Sequence, residues 1–229
     1  MNGAQFKALS KHLEVVAPKI PLRWGKIQND RTDSKLNIFE YRSFHDLETA
    51  LREFQVDEAN YFKKRWFVWR CSQCDEYLFY SQTGVRANPE SRDQDWDVEF
   101  FGRKDWRFDL KGTLVPRSLR RPNAKCLLPA DPFELVSFNF ENQSTGVRSH
   151  YQNRIFLVHV PFRAQNENIL RANFKAKNSA VELYLQNLQQ HPTYKFIDYK
   201  GLKCDVIFLC EDQRGIVSAQ FAGQELAGC

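Results

Sequence analysis

Residues 95–113 read DWDVEFFGRKDWRFDLKGT, a stretch in which carboxylates and one lysine recur at alternate positions. Alternate side chains of a strand share a face. The even positions are apolar (Trp96, Val98, Phe100, Trp106, Phe108, Leu110), and the odd ones are charged (Asp95, Asp97, Glu99, Arg107, Asp109, Lys111). A hairpin turning at Gly102 with its apolar residues on one side sets Asp97 opposite Asp109, Glu99 opposite Arg107 and Asp95 opposite Lys111. In a register slipped by two, Glu99 faces Asp109 instead. Carboxylates placed opposite one another repel, and a hard divalent cation held by oxygen ligands relieves that repulsion. Mg²⁺ is the expected ion, with Mn²⁺ able to substitute. Lys111 shares the face of Asp109, where an ammonium can orient a water and stabilise charge developing on a phosphate.

These residues resemble the PD-(D/E)XK nuclease superfamily, whose motif is an acid at the start of one strand and (D/E)-x-K on the next, after a helix that can supply a glutamate. Asp97 matches the first acid, and Asp109, Leu110 and Lys111 match D-x-K. Trp96 stands where the family has proline, so Asp95 and Glu99 stay open as the first acid. The resemblance runs from Ser43 to Thr113 and implies a restriction-endonuclease-like core with metal-dependent hydrolysis of phosphodiester bonds. The expected activity is that of a DNA endonuclease of restriction, mobile-element or repair type. It further implies that Asp97 and Asp109 bind metal, with the Leu110 carbonyl as another ligand, and that Glu48, or less readily Glu40, is the helix carboxylate. A following helix and strand would bring Gln152 and Arg154 near the site.

D-x-K occurs three times, at Asp33/Lys35, Asp109/Lys111 and Asp198/Lys200, and only the middle copy follows an amphipathic strand with an acidic face. RSLRRPNAK, directly after the hairpin, offers Arg117, Arg120, Arg121 and Lys125 as phosphate contacts beside the metal. Cys71 and Cys74 form a single CxxC, read as the tip of a hairpin between RWFVWRC and EYLFY. With no matching second pair, zinc is not expected there. No GxxxxGK[ST] or GxGxxG occurs, which argues against nucleotide-dependent phosphoryl transfer. The competing reading is a non-catalytic nucleic-acid or protein-binding module built on aromatic strands and the basic loop.

The elements that must position these residues follow from periodicity. Phe6, Leu9, Leu13 and Val16 mark an N-terminal helix ended by Pro18 and Pro21, and Ser43 caps a helix over 43–55. RIFLVHV, YKFIDYK and CDVIFLC read as strands, and 179–191 as an amphipathic helix. Helices on both sides of a run of strands indicate an α/β or α+β domain with a central mixed sheet. All 229 residues form one domain with its core over about 43–211 and residues 1–42 as an extension. No apolar run approaches the roughly 20 residues that span a bilayer, and Lys7, Lys11 and Glu14 interrupt any signal-like segment. A cytoplasmic location is expected. The net charge of +5 permits a polyanionic partner, here DNA, and a homodimer or a subunit role in a larger nuclease assembly is compatible with it.

Overall fold

The structure, a computed structural model, describes residues 1–26, 30–90, 95–121, 128–142, 152–191 and 193–222. The acidic stretch forms two strands, β2 (Val98–Phe100) and β3 (Arg107–Leu114), paired antiparallel with Val98 against Phe108 and Glu99 against Arg107. This is the first of the two expected registers. Phe101 and Gly102 both have positive φ, and the Arg103 N–H closes the turn on the Phe100 carbonyl at 2.9 Å. That pair of left-handed residues matches the twist of the flanking strands. β1 (Val85–Ala87) adds to the free edge of β2.

From β3 the sheet continues with β4 (Arg154–Val160) and β6 (Leu202–Glu211), both parallel to their neighbours. β5 (Ile197–Tyr199) and β7 (Val217–Phe221) pair antiparallel with β6 and complete a seven-stranded mixed sheet. Among the described residues the helices are α1 (Gly3–Val16), α2 (Asp30–Asp33), α3 (Phe44–Ala50), α4 (Val56–Tyr80), α5 (Pro132–Glu141), α6 (Glu167–Arg171) and α7 (Phe174–Gln190). One sheet face, with Phe108, Leu110, Ile155 and Ile207, packs with α1, α4 and α7, and the other, with Phe156, Val158 and Phe208, packs with α5. The fold is therefore α/β, a mixed sheet flanked by helices. Burial of the central strands on both faces is why RIFLVHV and CDVIFLC read as continuous apolar runs.

One expectation is corrected. Residues 65–80 are not a hairpin but the C-terminal part of α4, a helix of 25 residues. Trp66, Phe67, Cys71, Cys74, Leu78 and Phe79 are buried at helical spacing, and SQCD is a turn of that helix rather than a loop. Aromatic residues give up only a few tenths of a kcal/mol in a helix relative to strong formers. Twenty-five residues without Gly or Pro, buried against both α1 and the sheet, outweigh that. The CxxC thus lies on the buried side of a helix, where burial pushes the Cys71 thiol up to about 12. From the N-terminal extension, Leu9, Leu13, Val16, Ile20 and Ile38 belong to the same core cluster as Phe62 and Trp66. No helix among the described residues is long and apolar enough to cross a membrane.

Candidate active site

Val98 is the register partner of Phe108, yet the Asp97 N–H also reaches the Phe108 carbonyl, at 2.9 Å. Two residues of one strand thus share one residue of the other, which is a β-bulge, a device that re-aims a side chain. Asp97 consequently does not sit squarely across from Asp109 as a regular ladder would have it. Its carboxylate instead accepts the Leu110 N–H at 2.7 Å and lies against the Asp109 carboxylate. Burial, then the charge of Asp109, push Asp97 up to about 6, while the Leu110 N–H and Lys111 pull the other way.

Asp109 is 6% exposed at its side chain and carries a cation on each oxygen: Lys111 Nζ donates to Oδ1 at 2.7 Å, and Arg154 Nε lies 3.0 Å from Oδ2. Lys111 is half exposed and reaches the site from solvent. Arg154, expected as a nucleic-acid contact, is buried with its guanidinium over the Phe140 ring at 4.5 Å and serves to hold Asp109. The backbone N–H and C=O of a strand residue open toward the same edge, so the Leu110 carbonyl faces the edge that carries Asp97.

A third carboxylate enters from α4. Burial pushes Glu76 up to about 8, with further raising by Asp97, Asp75 and Asp109 and a counter-pull from Lys111. Glu76, not Glu48, is therefore the helix carboxylate near Asp97 and Asp109. Glu48 pairs with Lys63 at 2.8 Å. Lys63 and Glu76 lie thirteen residues apart on one helix, about 20 Å by axial rise, which keeps Glu48 out of the site. Glu40 is exposed and bonded by Asn37. Reading α4 as a hairpin hid Glu76, since no helix then preceded the acidic strands closely enough to present it.

Of the other candidates, Asp95 is exposed and Glu99 is neutralised by Arg107 at 2.7 Å and Arg86 at 3.0 Å, whereas Asp97 lies against Asp109. Gln152 is half-buried just before β4. Arg117, Arg120 and Arg121 are exposed, but not beside the acids. β3 carries the chain from Asp109 to Leu114 before that loop begins, about 16 Å at strand rise. Arg121 there pairs with Asp131 at 3.0 Å. Lys125 lies outside the described residues. The other two D-x-K copies are structural: Asp33 binds the Tyr61 hydroxyl and Arg65, and Asp198 accepts the Gly201 N–H in a turn.

Asn153 was not anticipated. Its carbonyl accepts the Asp109 N–H at 2.9 Å, its amide donates to the Arg107 carbonyl at 3.1 Å, and its amide oxygen accepts the Lys203 N–H at 2.9 Å. It ties three strands together beside the acid, and no one-dimensional pattern announces such a tie.

Among the described residues no three His, Cys, Asp or Glu side chains are already gathered tightly enough to form a metal-ligand group. The donor chemistry nonetheless fits a hard divalent cation: three carboxylates share one field, and two of them are held far above their ordinary values. No protein-family model, no curated protein and no solved structure matches the chain.

Proposed function

We propose that this protein is a divalent-metal-dependent nuclease with a restriction-endonuclease-like core, most concretely a Mg²⁺-dependent endonuclease acting on DNA. The observation that carries the proposal is the Asp97 carboxylate lying against that of Asp109, which Lys111 also contacts, with Glu76 near enough to feel both acids. Such displaced acids cluster where charge is to be neutralised by a ligand. The order α4, β1, β2, β3, α5, β4 supports the same reading, since the resembling family follows its acidic strands with a helix and a further strand.

Asp97, Asp109, Glu76 and the Leu110 carbonyl would hold the cation. When bound, it would polarise the phosphate and lower the pKa of a coordinated water. The chain's own residues do the rest. Arg154 fixes one Asp109 oxygen, and the Leu110 N–H fixes one of Asp97, so both carboxylates are oriented before substrate arrives. Lys111 offers donors to the attacking water and to the phosphate oxygen on which charge develops. Water forms the new P–O bond as the bond to the leaving oxygen breaks.

One observation favours the non-catalytic reading: Asp109 already carries two cations. A cleavage assay on duplex and single-stranded DNA with Mg²⁺ or Mn²⁺ separates the two readings. Wild type should cut and Asp109→Ala and Lys111→Ala should not. Cutting by those variants at the wild-type rate rejects the assignment, and binding without cutting in all three favours the module.

A further inference from the structure

α1, the segment before α3, and α4 enclose a groove of about 660 Å³ whose wall includes Gln5, His12, Arg42, Arg70, Gln73 and Glu76. Glu76 thus faces two ways: it shares the field of Asp97 and Asp109 and it borders this groove. Among the described residues that line it, Arg42 and Arg70 are the cations and Glu76 is the acid.

The cationic groups are arranged for an acceptor. The Arg70 guanidinium is held 5.2 Å from the Trp69 ring centroid and 5.9 Å from that of Trp66. Nη1 donates to Gln73 Oε1 at 2.8 Å and Nη2 to the Arg42 carbonyl at 3.3 Å, while Nε is shielded from water with no partner among the described residues. A guanidinium has two N–H donors on each Nη, so Arg70 keeps the second N–H of Nη1 and of Nη2 in reserve in a fixed orientation. Arg42 is exposed and makes no ion pair among the described residues. His12 Nε2 accepts the Phe44 N–H at 3.2 Å, which places the proton of the neutral ring on Nδ1 as a further donor.

We propose that this groove is a subsite for a single strand of nucleic acid continuing from the acidic centre, with Arg42, Arg70 and the His12 Nδ1–H contacting its phosphates. The volume is on the scale that buries a small ligand rather than a duplex. Arg70 and Glu76 are six residues apart on α4, about 9 Å by helix rise. That separation exceeds the roughly 3.4 Å of axis per phosphate even of a stacked strand, so Arg70 and Glu76 address different phosphates. The subsite rests on the nuclease reading for its direction, because the scissile phosphate is taken to lie at Asp97 and Asp109. Its binding chemistry is independent of cleavage.

The test measures affinity of the intact chain for a fluorescently labelled oligothymidylate, with chelator present so that nothing is cut, over a series of salt concentrations. Arg42→Gln, an exposed change that leaves the core intact, should weaken binding and flatten the slope of log K against log salt by about 0.7, the value of one single-strand phosphate contact. Arg70→Gln should do the same, and a matched duplex should bind with a slope that neither change alters. The proposal is overturned if wild type binds no oligothymidylate, if Arg42→Gln leaves slope and affinity unchanged, or if polyglutamate competes as well as unlabelled oligothymidylate. Cleavage lost with the slope effect intact defeats only the nuclease reading. Cleavage present with no slope effect defeats only the subsite.

Discussion

Asp75 and Glu76 are adjacent on α4 and meet opposite fates. Asp75 points into the domain, where Lys177 of α7 pairs with it at 2.7 Å, both side chains almost fully buried, and Arg171 adds a second favourable charge. Burial raises Asp75, and those two cations pull it back. Around them His159, lowered well below its ordinary value by burial and the same cations, bonds the Thr113 carbonyl at 3.0 Å. Glu76, about 100° further round the helix, meets Asp97 and Asp109 instead, with Lys111 as the counter-pull. One cluster has its cations supplied by the fold, and the other carries more acid than the chain compensates. Helix geometry thus separates a buried charge paired with cations from one set among other acids, within a single dipeptide.

Removing the counter-charge from the buried cluster should have the largest effect. Asp75→Ala leaves Lys177 unpaired in the core and should cost about 3–5 kcal/mol, read as a fall in the urea midpoint. Lys111→Ala acts on the other side of the comparison. It should leave the urea midpoint nearly unchanged, because Lys111 is half exposed, while lowering cleavage by about 10²–10³-fold. Gly112→Ala probes the seam between the clusters. A Cβ there would stand 3.1 Å from Arg171 Nη1, which already donates to the Gly112 carbonyl at 3.2 Å, so overpacking should cost about 1–3 kcal/mol.

A pH series sharpens the contrast further. The folded state raises Glu76 from 4.5 to about 8, so it binds this proton more tightly than the unfolded chain does. Stability of the metal-free protein should therefore fall as pH rises from about 4.5 through 8, and Glu76→Gln should flatten that decline. Added Mg²⁺ should restore stability at pH 8 in wild type and less so in the variant, as thermal melts would show. The smallest effect belongs to Glu48→Gln, which loses a partly exposed pair worth about 0–1 kcal/mol and should leave cleavage unaltered. A large loss of cleavage there would return Glu48 to the site.

Much of the centre was legible in one dimension because a strand's period of two is rigid. The alternation from Trp96 to Lys111 set the register, singled out one D-x-K of three and put Lys111 beside Asp109. The bulge at Asp97 was not legible, since the choice between a regular ladder and a bulge depends on what packs against the strand. α4 was misread because helix and strand both tolerate aromatic runs, and its burial on several sides blurs the period that would tell them apart. Glu76 was lost with it.

The sequence by itself determined the alternating hairpin, the acid–lysine spacing within β3 and the buried parallel strands, since each follows from local geometry and side-chain period. The tertiary structure alone decided that Glu76 supplies the third carboxylate, that Arg154 is buried to hold Asp109, and that the basic loop leaves from the far end of β3. Those outcomes depend on which elements pack together and at what angle, and residues brought together by packing carry no fixed spacing along the chain.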